Sequence, residues 1–138
     1  MKKINIFLLV CATILSGIVR AETENSSNIS FELGAGVNYG MVGGALNYKV
    51  SPSTEIFVAG GLGFALGVKY YTSDSLRLIV NYGTNSADSN QFYSGLNIGV
   101  GYLGGSRDGW TVDLMYLASS TGGALSGMPI KLSFGYRF

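Results

Sequence analysis

Eight charged residues are the chain's candidates for polar chemistry: Lys49, Lys69, Arg77, Lys131 and Arg137, set against Glu32, Glu55 and Asp113. Each falls on a strand-like parity shared with glycine and asparagine rather than with bulky apolar neighbours, which is the period-2 mark of a strand with two different faces. Five cations facing three anions inside a closed sheet can form an ion-selective constriction or a switchable plug. Packed into a narrow lumen, the same groups form a salt-bridge network that fills it. The network is the expected outcome, because an eight-stranded interior is only just wide enough for side chains. Nucleophilic catalysis is not expected. There is no histidine, and Ser30, Ser94 and Ser133 have no base in the sequence pattern to activate a hydroxyl. Gly34-x-Gly36 and Gly99-x-Gly101 are followed by no helix, so they do not read as phosphate loops. No cofactor, metal or nucleic-acid partner is expected.

The elements that must position these charges are strands. Twenty-one glycines, nine tyrosines, seven phenylalanines, two prolines and only 12% charged residues describe a β-rich chain, and no 3.6-residue spacing follows Ala21. Turn residues divide it into eight predicted strands, about 29–39, 43–50, 54–61, 64–72, 76–84, 92–103, 109–118 and 128–138. Short connections at Ser51-Pro52-Ser53, Ser73-Asp74-Ser75 and Gly104 to Asp108 alternate with turns near Gly40 to Val42, Leu62-Gly63, Gly83 to Gln91 and Ser119 to Gly127. That alternation predicts an up-and-down meander. Pro52 and Pro129 sit where a missing N–H is tolerated. The two longer loops are small and polar, with no aromatic anchor, basic cluster or metal-ligand set, so a recognition role has no specific support in them.

One predicted face collects Phe31, Leu33, Val37, Tyr39 and Met41 on the first strand, and continues through Leu46, Tyr48, Leu66, Val68, Val80, Ile98, Leu114 and Tyr116. The other carries the charges together with Gly34, Gly36, Asn38, Asn47, Asn97, Gly99, Gly101 and Gly135. The parity of strand 54–61 is ambiguous; Glu55 is assigned to the polar face because a three-residue turn sets it opposite Lys49. Such a sheet closes as a soluble, lipocalin-like barrel with the apolar face inside, or as a membrane barrel with that face in lipid. Three features favour lipid. Tyr48, Tyr70, Tyr102, Trp110 and Tyr136 cluster near one set of strand ends, and Tyr39, Phe64, Tyr82, Phe92 and Tyr116 near the other, as two interfacial girdles would. So many rings exceed an eight-stranded interior. A glycine-dominated outer face would serve a soluble strand poorly. The expected fold is therefore all-β, an eight-stranded antiparallel up-and-down transmembrane β-barrel over residues 29–138.

The N-terminal stretch points the same way. Met1 to Lys3 carry two lysines, Ile4 to Val19 form an apolar run, and Val19-Arg20-Ala21 offers small residues at the peptidase positions, so residues 1–21 read as a cleaved signal peptide and 22–28 as a flexible polar leader. A membrane anchor is the alternative; the run falls short of roughly 20 residues and contains Thr13, Ser16 and Gly17. Cys11 follows Val10, where a lipoprotein site wants a small residue. Cleavage would remove Cys11 and take the nine basic residues to six against eight acidic, leaving a cysteine-free, slightly acidic domain.

Residues 131–138, KLSFGYRF, continue from Ile130 an alternation of Leu132, Phe134, Tyr136 and Phe138 with polar or small residues. This pattern resembles the C-terminal sorting signal of Gram-negative outer-membrane proteins, and the whole mature chain resembles the small eight-stranded barrels of the OmpA and OmpX type. The resemblance implies outer-membrane localisation, contact with membrane lipid and lipopolysaccharide, and recognition by the barrel assembly machinery. It implies a structural or surface-interaction role in the envelope, with a narrow pore as the alternative. The enzymes of that group rely on a histidine, which this chain lacks.

Overall fold

The computed structural model describes residues 28–85, 93–105, 108–121 and 129–138. The expected signal peptide, most of the expected leader, and much of the two longer loops lie outside the described residues. Eight strands follow one another: β1 Ile29–Gly36, β2 Met41–Ser51, β3 Thr54–Gly61, β4 Gly63–Tyr71, β5 Leu76–Asn85, β6 Tyr93–Leu103, β7 Gly109–Thr121 and β8 Ile130–Arg137. Each pairs antiparallel with the next, and β8 pairs antiparallel with β1, so the sheet closes as an all-β up-and-down barrel. Closure leaves no strand edge exposed along the paired wall.

Side-chain alternation fixes the two faces. Outward stand exposed aliphatics such as Leu46, Val58, Leu66, Val80, Ile98 and Leu114. Inward, and buried, stand Ala45, Phe57, Ala59, Ala65, Ile79 and Met115, together with most of the charged residues. Glu55 is inward, while Ile56 and Val58 on the same strand point out, which settles the ambiguous parity in the expected direction. A register shift between Leu96 and Asn97 leaves the β6–β7 ladder irregular towards the end away from the short turns, and β7 runs on to Thr121, past the predicted end at 118.

The first strand departs most from expectation. β1 ends at Gly36 rather than at 39, and Val37–Tyr39 form a 3-10 turn. Gly36 (φ 118) turns the chain out of the wall and into the lumen, and Gly40 (φ 61) brings it back, both in conformations that disfavour residues with a Cβ. Val37, Asn38 and Tyr39 are consequently all buried, so Val37 and Tyr39 are not on the outer face and Tyr39 is not part of an outer girdle.

Lumen glycines act as seats for large side chains. A Cβ at Gly34 or Gly135 would strike the Tyr39 ring, one at Gly67 the Phe57 ring, and one at Gly99 the Met115 sulfur. At Gly101 it would fall on Asp113 Oδ1 and Arg77. The interior is thus filled from several strands at once, as the small diameter of an eight-stranded barrel requires.

Candidate functional site

Glu32 on β1 is the hub of the lumen. Its Oε1 accepts hydrogen bonds from Lys69 Nζ at 2.8 Å, Arg77 Nη1 at 3.2 Å and Asn47 Nδ2 at 3.3 Å, while Oε2 accepts one from the Tyr39 hydroxyl at 2.9 Å. Asp113 on β7 holds the other side of Arg77: Oδ1 accepts from Nη2 at 2.9 Å and Nε at 3.1 Å, and Oδ2 accepts from Asn38 Nδ2 at 2.7 Å. The side chains of Glu32, Lys69, Arg77 and Asp113 are fully shielded from solvent. Lys69 completes its shell with Asn47 Oδ1 at 2.6 Å and the face of Phe57, 4.7 Å from the ring centroid.

A second cluster lies towards the short-turn end. Arg137 on β8 donates to both Glu55 oxygens, Nη2 to Oε1 at 2.6 Å and Nη1 to Oε2 at 3.0 Å, the planar fork that a guanidinium offers a carboxylate. Tyr71 donates to Glu55 Oε2 at 2.9 Å and also accepts from Arg137. Arg137 Nη1 stands 3.8 Å from Glu32 Oε1 and joins the two clusters. On the opposite side of the hub an amide relay continues: Asn97 Nδ2 donates to Asn81 Oδ1 at 2.9 Å, and Asn81 donates to Asn38 Oδ1.

The structure therefore brings together six of the eight charged residues singled out from the sequence: Glu32, Glu55, Lys69, Arg77, Asp113 and Arg137. Lys49 is a correction. It has the inward parity and sits opposite Glu55 in register, yet it is exposed, because β2 is there at its end beside a ladder irregularity and Glu55 is engaged by Arg137. Lys131 is half-buried on β8, opposite Met115 in the ladder and well along the strand from Arg137. Of the terminal stretch, Ile130, Leu132, Phe134 and Phe138 are exposed on the outer wall and Tyr136 is half-buried there. Tyr136 meets Trp110 edge-on at 5.3 Å and Phe138 at 5.0 Å. The Phe138 backbone N–H donates to the Phe31 carbonyl at 2.9 Å, which ties the end of β8 to β1.

Sequence reasoning missed Tyr71, Asn81 and Thr111 as members, although each lies on the inward parity of its strand. Tyr39 carried no such signal, since its parity pointed outward. Its hydroxyl bridges the hub, donating to Glu32 and sharing a 2.6 Å hydrogen bond with Thr111 Oγ1. Tyr39→Phe is expected to lower the unfolding free energy by about 1–3 kcal/mol, the cost of leaving a buried Glu32 oxygen short of a donor and the Thr111 hydroxyl short of an acceptor. A urea midpoint equal to that of the parent protein would show that the bridge adds nothing.

Every carboxylate and cation of the two clusters has at least one partner of opposite charge, and the polar chain they form is bounded by packed rings and aliphatic side chains. This is the chemistry of a filled interior. No family model, curated protein or solved structure matches the chain.

Proposed function

We propose that this chain is a small integral outer-membrane β-barrel protein, non-catalytic, whose work in the envelope is done by its wall and rims. The observation that carries the reading is the inversion of the barrel: charge inside, a continuous apolar belt outside. Exposed aliphatics ring the wall at mid-height, with Tyr48, Tyr70, Tyr102 and Trp110 exposed towards the short-turn end and Phe64, Tyr82 and Tyr116 towards the other. A soluble monomer rarely exposes an apolar patch above a few hundred Å², and here the patch is the circumference. Strands of 8 to 13 residues compare with the roughly 9–11 tilted residues that cross a bilayer. Backbone closure and inward charges are what lipid demands of a sheet.

In this reading the chain is exported by residues 1–21, the Ile130 to Phe138 stretch is what the assembly machinery reads, and lipid and lipopolysaccharide are its standing contacts. The filled lumen favours a structural or surface-interaction role over a pore.

Trp110 gives a direct test, being the chain's single tryptophan and 70% exposed on the outer wall. Reconstituted protein is expected to show tryptophan emission quenched by brominated lipids, most strongly by bromines placed high on the acyl chain, because an interfacial girdle holds rings at headgroup level. Protein that stays in the aqueous fraction with unquenched emission would overturn the proposal.

A further inference from the structure

The turn that fills the lumen and the seam that closes the barrel meet at Gly36. β1 and β8 pair over four positions, from Glu32 opposite Arg137 to Ala35 opposite Phe134, whereas β5 and β6 pair over ten. β8 itself extends to Ile130 against β7. β1 stops matching it because the chain turns inward at Gly36 and re-enters the wall through Gly40 and Met41. Met41, at φ 74, is the one non-glycine residue with positive φ among the described residues, and an unbranched but bulky side chain is strained there. The turn already presses on the seam: a Cβ at Gly36 would strike Ser133 and the Leu132 carbonyl, and the Asn38 N–H donates to Ser133 Oγ at 3.4 Å.

Continuing the existing β1–β8 register past Ala35 sets Gly36 opposite Ser133, Val37 opposite Leu132 and Tyr39 opposite Ile130. That places Val37 and Tyr39 on the outer face beside exposed Leu132 and Ile130, and Asn38 inside. It is also the alternation that the sequence carries unbroken from Phe31 to Tyr39.

We propose that residues 36–40 alternate between two seats, the lumen and the β1–β8 seam, so that unplugging the lumen and completing the seam are one event. In the lumen seat the turn is held by the Tyr39 and Asn38 side chains on Glu32, Thr111 and Asp113. In the seam seat those bonds are exchanged for ladder pairing with β8 and apolar contact on the outer wall, and the strain at Met41 is released. The slack comes from the first pairs of β2, Met41 with Gly36 and Val42 with Ala35, followed by Gly43 and Gly44. Vacating the lumen uncovers acceptor oxygens of Glu32, Thr111 and Asp113.

Disulfide trapping in the folded barrel, held in detergent so that the result is independent of where the barrel resides, tests this. With Cys11 replaced by alanine, Val37→Cys is paired with Leu132→Cys. In the lumen seat Val37 is buried inside and Leu132 is exposed outside, with the wall between them, and a disulfide needs Cβ atoms facing at about 4 Å. Leu33→Cys with Tyr136→Cys, already opposite each other in the ladder, is the positive control. The Val37/Leu132 pair is expected to crosslink more slowly than the control, and adding Tyr39→Phe to accelerate it by about tenfold, the effect of losing a hydrogen bond to a charged acceptor. Crosslinking of the control alone, crosslinking of Val37/Leu132 only after unfolding in urea, or a rate indifferent to Tyr39→Phe would each overturn the proposal.

Discussion

Glu32→Ala is expected to lower the barrel's unfolding free energy by roughly 3–5 kcal/mol, because it strips a common counter-ion from buried cations that water cannot reach. Lys69 would keep only Asn47 and the Phe57 face, and Arg77 would keep Asp113. The Tyr39 hydroxyl would lose its acceptor and retain Thr111. Glu32→Gln should be milder, since an amide oxygen still accepts a hydrogen bond, yet it leaves the clusters with three cations to two anions. Urea midpoints of the two variants and the parent in the same detergent give the ranking parent, then Gln, then Ala. A midpoint for Glu32→Ala within error of the parent would mean that the lumen charges contribute no net stabilisation, and the filled-interior account would fall with it.

How far this hub was legible beforehand follows from what a strand lets a sequence say. Alternation by two is local, so inward positions such as Glu32, Lys69, Arg77 and Asp113 could be read one strand at a time, and even the ambiguous Glu55 could be placed by counting across a three-residue turn. Which inward groups meet depends on stagger between strands far apart in the chain, and no local pattern reports that Arg137 reaches Glu55 across the lumen. Lys49 shows the same limit from the other side: its parity is inward, but its position at the end of β2 leaves it exposed. Tyr39 was illegible for a different reason. The apolar alternation of β1 runs through it unbroken, and only the backbone turn at Gly36, which glycine permits without requiring, sends the ring inside. Phe57, Ile79 and Met115 lie on the same inward parity as the charges, and each fills space that charges alone would leave open.

The largest effect on the outer wall is expected from arginine at mid-height. Val68 stands near the middle of β4, outward and exposed, between inward Gly67 and Lys69. A barrel wall in water would accept Val68→Arg almost without penalty, since an exposed position makes no demand on charge. In a bilayer the same substitution places a guanidinium near the midplane and should cost roughly 2–4 kcal/mol, whereas Tyr48→Arg or Tyr102→Arg, nearer the rims, should cost about 0–1 kcal/mol. Depth dependence is therefore the signature of lipid, and it separates the two environments without any reference to relatives. Refolding equilibria measured for all three variants in liposomes and in a short-chain detergent supply the comparison. Equal, near-zero penalties at Val68, Tyr48 and Tyr102 in liposomes would place the apolar belt against something other than a bilayer, since no hydrocarbon core treats its centre and its edge alike.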